Sequence, residues 1–470
     1  MFYNRNIMRA KTFKGGIHPK EHKEMSNSCP ITQAFPSSKM VTIPVTMGGA
    51  PNTPLVKVGD IVKKGQKIAD GTGFMNCPVH ASVAGTVKKI QNCLVTANME
   101  VPCIVIAADE NGESEFMEAL DPFTCEREAA LERIREAGIV GMGGASFPAH
   151  VKLNPPKDKE ILYTLINAAE CEPYLTCDER TLQEKTEKVI DGLAIILHLT
   201  GSYGIIALED NKAYIKPLLD QEINKKGYSD DMKVCLVKTK YPQGSEKFIV
   251  KSCLGVEIPS AKLPADAGCL ISNVGTVCAI SDAFRLGLPL IERAFTISGG
   301  AVEKPCNLSA PIGTLVSDLM PEYFTIKEDQ TAKIISGGPM MGFAMVSADF
   351  PIAKGSSGVV FLTAQETSLY EEDQCINCGR CVATCAMTLS PVLITKELES
   401  ENLNKAKDFG LMDCIECGCC SYVCPSHIKI VQRIRLGKAR MRAKMAEDRA
   451  KAEEKAKAED KSKAANGGTK

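Results

Sequence analysis

The chain has 470 residues, a length that favours several domains over one. A formal charge of −1, with 44% apolar and 24% charged residues, fits ordinary globular domains and excludes a basic nucleic-acid or membrane face. The 21 cysteines are an odd number, and the first residues carry no apolar signal core, so a reducing cytosol is expected rather than a disulfide framework.

Residues 1–40 are an N-terminal segment. Residues 41–115 are rich in Val, Gly and Lys in short strand-like runs. The run from Val56 to Ala69, followed by Val79 to Val87, resembles a lipoyl- or biotinyl-type barrel sandwich. Such carriers hold their cofactor on a hairpin-tip lysine. The segment between these halves, Thr72-Gly-Phe-Met-Asn-Cys-Pro, has none, so a purely structural barrel is expected.

Residues 116–290 alternate helix and strand. Periodicity predicts a helix over 126–137 stopped by Gly138, a buried strand over 161–166 and an amphipathic helix over 181–199. Strands follow at 204–208 and 232–237, with Asn211 as the cap of the helix between them. A helix from Ser245, a strand over 269–272 and a helix near Ala279 complete the pattern. This alternation predicts a mostly parallel sheet covered by helices. The most apolar stretch, Val189 to Leu208, is broken by Asp191, His198 and two glycines and is not a membrane span.

Residues 291–350 read as a small α+β unit, with a hairpin at 294–302, a short helix at 313–319 and a strand from Ile334. The fold class is thus multidomain α/β plus α+β. A cysteine-dense domain spans 365–435. The tail, 436–470, is an Ala/Lys/Glu run whose charge spacing favours helix and whose lack of an apolar face predicts a solvated or disordered segment.

Cys375, Cys378, Cys381 and Cys385 form C-x2-C-x2-C-x3-C, and Cys414, Cys417, Cys420 and Cys424 repeat it, followed by Pro425. This is the bacterial run for two 4Fe–4S clusters, in which the fourth cysteine ligates the other cluster. One cluster therefore takes Cys375, Cys378, Cys381 and Cys424, the other Cys414, Cys417, Cys420 and Cys385. Zinc ribbons or buried thiols would explain a single C-x2-C but not two full repeats. Ala386 stands where proline usually follows, and Cys419 is read as a bystander. The twelve cysteines between 29 and 306 are read mostly as small buried hydrophobes.

Gly141-Met-Gly-Gly-Ala-Ser-Phe-Pro is a poor dinucleotide fingerprint, because a helix precedes it and Ser146 takes the third glycine position. Lys152 and the run Asn167-Ala-Ala-Glu-Cys-Glu-Pro lie close behind. Together they place backbone N–H groups, a lysine and two carboxylates near the C-terminal edge of the parallel sheet, where ligands of such folds bind.

These residues resemble the flavin and NADH site of the flavoprotein subunit of respiratory complex I. The resemblance implies FMN held by Gly141, Gly143, Gly144, Lys152 and Asn167, with Glu170 also cofactor-binding in the Glu-x-Glu-Pro motif and Phe147 and Glu172 near NADH. Asn273 matches a further flavin-contacting asparagine, and Gly244 with Glu246 matches a glycine–glutamate loop more loosely. Ala169 replaces an acidic flavin contact and Cys171 a glycine.

The order of the pieces, from Thr12-Phe-Lys-Gly-Gly-Ile-His-Pro to the twin cysteine runs, resembles the C subunit of the Rnf complex, an ion-translocating ferredoxin:NAD⁺ oxidoreductase. That family implies a β-grasp unit over 291–350 and a peripheral subunit on the cytoplasmic side of the cell membrane. Its partners would be integral membrane and iron–sulfur subunits, with ferredoxin reached indirectly and no nucleic acid. Electrons would pass between two 4Fe–4S clusters, FMN and NAD(H), with no side chain as a catalytic acid or base. A soluble cobalamin reductase with the same modules and a flavin-free relay remain the alternatives. The histidines, His18, His22 and His80 among them, show no zinc-protease spacing.

Overall fold

A computed structural model describes residues 10–367 and 370–466, with side chains to 453. Residues 1–9, which bear on the signal-peptide expectation, and the last four of the tail lie outside the described residues. The chain forms two units. One takes residues 10–13 and 18–367, the other 14–17 and 370–466.

The first unit begins with a barrel sandwich. Strands 40–44, 99–108, 85–95 and 61–62 form one antiparallel sheet in that order, and 53–54, 67–70 and 79–80 form a second. Val41, Ile43, Val87, Ile104 and Ile106 alternate inward and fill the space between them. The hairpin tip over 71–78 is pinned rather than free. The Asn76 side chain donates to Pro51 O (2.8 Å) and Asn52 Oδ1 (2.9 Å), and accepts from Gly73 N (2.8 Å).

The second layer is a parallel sheet ordered 232–237, 203–209, 163–168, 269–273. Its alternation explains why both faces are covered. Leu165, Ile205 and Ile271 point into one apolar cluster, with Ile249 of helix 246–254. Ile166, Ile206 and Leu270 point into another, with Leu193 of helix 186–200 and Val277 of helix 274–285. The single helix expected over 181–199 is two, 177–184 and 186–200, broken where Lys185 leaves helical geometry (φ −127°, ψ 31°). Asn211 does not cap a helix. It lies inside a 3-10 turn over 210–215, and its amide donates to Glu21 Oε2 (2.9 Å).

The sheet around 291–350 is larger than the sequence suggested. It has six strands, ordered 31–33, 306–311, 292–298, 358–363, 331–336 and 343–345, and so draws on residues either side of that segment. Strand 31–33 pairs in parallel with 307–309, so residues 10–40 are not a separate segment. The helix expected at 313–319 reduces to a 3-10 turn over 317–319. Among the described residues, no helix is long and apolar enough to cross a membrane.

The second unit is helical, with helices 380–384, 391–399, 403–408, 419–422 and 430–466. Ile394, Ala406, Leu411, Ile430, Ile434 and Met441 form its core. The tail is therefore not solvated from its start. Met441 and Lys438 are buried, and the Lys438 ammonium donates to Cys414 O (2.8 Å) and pairs with Glu416 (2.7 Å). Within this unit Gly16 N donates to Thr384 O (2.8 Å), and a Cβ on Gly15 would lie 2.9 Å from Cys385 O. The Ala386 nitrogen, from which a proline ring would extend, is 3.1 Å from that same position. The departure at Ala386 coincides with this N-terminal strip.

Candidate flavin and iron–sulfur sites

The glycine loop leaves the helix 127–136 and is closed by a hydrogen bond from Gly141 N to Phe147 O (2.8 Å). Its middle is open. A Cβ on Gly144 would meet nothing within 4 Å, and one on Gly143 only Asn273 Cβ, at 3.7 Å. Phe147 is 42% exposed at the loop's end.

The C-terminal edge of the parallel sheet faces this loop through Asn273. Asn167 and Asn273 are register partners on adjacent strands. Asn167 Nδ2 donates to Gly244 O (2.7 Å), which brings in the 241–246 loop. Glu246, in the first turn of the helix 246–254, pairs with Lys152 (2.6 Å). Asn273 Oδ1 caps the helix 274–285 by accepting from Gly275 N (2.8 Å). Glu170 Oε1 and Oε2 accept from Asp178 N (2.7 Å) and Glu179 N (3.1 Å) at the start of the helix 177–184.

Glu172 joins this chain of contacts through Tyr241 of the same loop and through a second loop, 338–341. Its carboxylate accepts from Met340 N and Met341 N (3.0 Å each) and from Tyr241 Oη (3.3 Å). Burial raises its pKa, and those three donors pull it back. Cys171, in place of a glycine, presents Sγ to Gly244 N (3.2 Å), and burial pushes its thiol pKa up. Ala169 N donates to Asn167 Oδ1 (3.2 Å), so the residue without a polar side chain still fixes the amide.

Sequence reasoning missed four contributors. Asp178 accepts from Asn273 Nδ2 (2.7 Å), and Thr276 Oγ1 accepts from Met142 N (2.9 Å). Arg293 reaches Met142 from the six-stranded sheet, and Met340–Met341 holds Glu172. Only Arg293 carried a local signal. It shares the inward parity of strand 292–298 with Phe295 and Ile297, an unusual place for a charge.

An open glycine loop, two oriented amides, a lysine and the N-terminus of a twelve-residue helix fit a planar, phosphate-bearing cofactor.

The cysteines fall into two cavities. Cys375, Cys378, Cys381 and Cys424 line one of about 140 Å³, with Arg380, Lys396 and Arg433. Cys385, Cys414, Cys417 and Cys420 line one of about 20 Å³, with Cys419 and the apolar Leu389, Ile394, Val431 and Ile434. Each cavity thus holds three cysteines of one run and the last of the other. Cys375 and Cys378 are exposed, whereas Cys420 is buried.

Both runs share one backbone path. Asn377 and Glu416 have φ of 53° and 59°, and Gly379 and Gly418 have φ of 72° and 80°. Thr388 and His427, each three residues past the last cysteine of its run, have φ of 56° and 51°. Such left-handed residues turn backbone N–H groups inward, a nest suited to an anionic cluster. Glu416 N already donates to Cys414 Sγ (3.3 Å).

Among the described residues, only Glu170, Cys177 and Asp178 bring three potential ligand atoms within 4.8 Å of one another. The cysteine sulfurs are more widely spread. Sulfurs held by one zinc, each about 2.3 Å from the metal, would lie closer together than that.

Residues 134–282 match the family model of the Nuo51 FMN-binding domain, residues 11–111 that of the RnfC barrel sandwich hybrid domain, and residues 367–425 that of a 4Fe-4S dicluster domain. The chain is 42% identical to the C subunit of the proton-translocating ferredoxin:NAD(+) oxidoreductase complex of Clostridium ljungdahlii, over 94% of this chain and 96% of that one. It is 37% identical to the Na(+)-translocating counterpart of Acetobacterium woodii, over 86% and 90%. It is 36% identical to the C subunit of the ion-translocating oxidoreductase complex of Rhodobacter capsulatus, over 92% and 84%.

Proposed function

The chain belongs to the C-subunit family of the ion-translocating ferredoxin:NAD(+) oxidoreductases, and we propose that its two cysteine cavities and its glycine loop form one electron route to NAD. It is the electron-transfer subunit of an oxidoreductase complex, with FMN and two 4Fe–4S clusters as cofactors. Bound FMN exchanges two electrons with NAD(H) as hydride and single electrons with clusters, which neither of those can do alone.

The residues serve that chemistry by holding and tuning. Gly143 and Gly144 leave the loop open for the ring, and Asn167, Asn273 and Lys152 would hold the cofactor beside it, each oriented by a protein partner: Gly244 O, Asp178 and Glu246. Glu170 fixes the start of the helix 177–184 beneath. Phe147 and Glu172 border the nicotinamide side. Cys375, Cys378, Cys381 and Cys424 hold the more exposed cluster, and Cys414, Cys417, Cys420 and Cys385 the enclosed one. The apolar lining of the second keeps water from its sulfurs and tunes its potential apart from the first.

The protein docks peripherally at the cytoplasmic side of the cell membrane, where integral and iron–sulfur subunits of the translocase exchange electrons with it and, through them, with ferredoxin. The observation that carries the reading is the sorting of eight cysteines into two crossed sets in a chain that also holds an open glycine loop. The test is the iron, sulfide and flavin content of the purified chain, with NADH oxidation by an artificial acceptor. About eight irons and one FMN are expected. Replacing Gly143 and Gly144 by valine removes flavin and activity but spares iron; persistence of both flavin and activity overturns the flavin assignment.

A further inference from the structure

We propose that Arg293, carried by the six-stranded sheet rather than by the flavin domain, is a positioning residue of the flavin site. It fixes the glycine loop and balances the charge of Asp178 behind it. The inference rests on the flavin reading above.

Three elements meet at this side chain. Arg293 Nη2 donates to Met142 O (3.2 Å), and Nη1 lies 3.3 Å from Met142 Sδ. Its Nε donates to Ser356 O (2.5 Å), in the turn before strand 358–363. A Cβ on Gly275 would lie 2.8 Å from Nη1, so the guanidinium also touches the first turn of the helix that Asn273 caps.

Met142 is the residue these contacts control. Its N–H is taken by Thr276 Oγ1 and its carbonyl by Arg293, so both backbone groups just before Gly143 are fixed from outside the loop. The open geometry at Gly143 and Gly144 then follows from clamps on their neighbour. A loop of glycines would otherwise have many conformations to lose on binding a ligand.

The charge matters as much as the clamp. Arg293 is 3% exposed, and its hydrogen bonds go to neutral acceptors. The opposing charge is the Asp178 carboxylate, which has a Glu170 oxygen within 4.8 Å of its own. Burial raises the Asp178 pKa and Glu170 adds to it, while Arg293 and the Asn273 amide pull it back. Reducing a flavin here would add electron density beside these charges. The guanidinium favours that density and Asp178, bonded to Asn273, opposes it.

The two residues therefore have effects of opposite sign on one observable. Full-length protein is prepared with Arg293→Met, Arg293→Lys and Asp178→Asn. FMN affinity is measured by flavin fluorescence, and the flavin midpoint potential by spectroelectrochemistry, with cluster absorbance as the folding control. Arg293→Met weakens FMN binding by about tenfold, as expected for a lost charge-assisted hydrogen bond, and moves the midpoint negative. Arg293→Lys weakens binding while keeping the midpoint near the parent value. Asp178→Asn still accepts from Asn273 and moves the midpoint positive. Equal affinity and midpoint in parent and Arg293→Met overturn the proposal, and so do midpoint shifts of the same sign in Arg293→Met and Asp178→Asn. If Arg293→Met does not fold, the Lys and Asn variants decide alone. Absence of flavin from the unaltered chain overturns the flavin reading and this inference with it, whereas bound flavin unmoved by these changes overturns only the latter.

Discussion

Asn167 and Asn273 stand level on neighbouring parallel strands, and their side chains serve different elements, a loop for Asn167 and two helices for Asn273. Asn167 holds Gly244 O, while Asn273 both caps a helix and donates to Asp178. The two roles of Asn273 separate by substitution. Asn273→Ser keeps an oxygen for the cap and loses the amide donor. Asn273→Ala loses both, at a cost of about 1 kcal/mol. The serine variant is expected to melt near the parent temperature yet release FMN faster, and the alanine variant to show both defects. Thermal melts paired with flavin-release rates check this. A serine variant with parental flavin retention removes Asn273 from the site.

The crossed cysteine sets make a prediction about pairs. Cys375 and Cys424 line the same cavity although they come from different runs. Losing both together is expected to cost one cluster, leaving about four irons of about eight. If each run instead held its own cluster, the same double change would strip both. Iron analysis of Cys375→Ala/Cys424→Ala separates these outcomes.

Glu172 gives a third. A Cβ at Gly338 would overlap its carboxylate, and the same loop supplies Met340 N and Met341 N to it. Gly338→Ala must move either the loop or the glutamate. The expected outcome is a several-fold rise in KM for NADH with flavin content unchanged, since no flavin-facing contact is touched. Steady-state kinetics on flavin-matched samples check it, and a fall in flavin content with KM unchanged would contradict it.

What the sequence revealed and what it hid divide along chain distance. The cysteine runs are a local pattern that spacing alone announced, whereas the glycine loop, a poor fingerprint by itself, was read only together with Lys152 and the Asn167–Pro173 run and through their resemblance to a known family. The alternation of Leu165 and Ile166 between two cores was equally readable as strand period. Asp178, Thr276 and the Met340–Met341 pair acquire meaning only through partners 95, 134 and 168 residues away. The helix break at Lys185 was hidden because apolar periodicity continues across it. The tail is helical as expected, but its start was misread for the opposite reason. Its composition is solvated, but Lys438 and Met441 in its first turns are held by the cluster unit.

A buried histidine of the barrel, with a second on the helix 149–152, carries a pH response. His80 is buried on strand 79–80 with Nδ1 unpartnered, and its pKa is held well below 6.5, first by burial and then by the charges of Lys354 and Lys67. His150 is also lowered by burial, although it bonds Phe74 O (3.0 Å). The unfolded chain titrates these groups near pH 6.5 and the folded chain only at lower pH, so between those values the unfolded state binds more protons. Their contribution to stability is complete above about pH 6.5. It is lost as pH falls towards the folded values, at up to about 1.4 kcal/mol per pH unit for each histidine. His80→Gln cannot take up that proton. Its melting temperature is expected to fall less than the parent's between pH 7 and pH 5.5, about the window these shifts define. Circular dichroism melts across that range test it, and parallel slopes for parent and variant would show that the buried imidazole is not the titrating group.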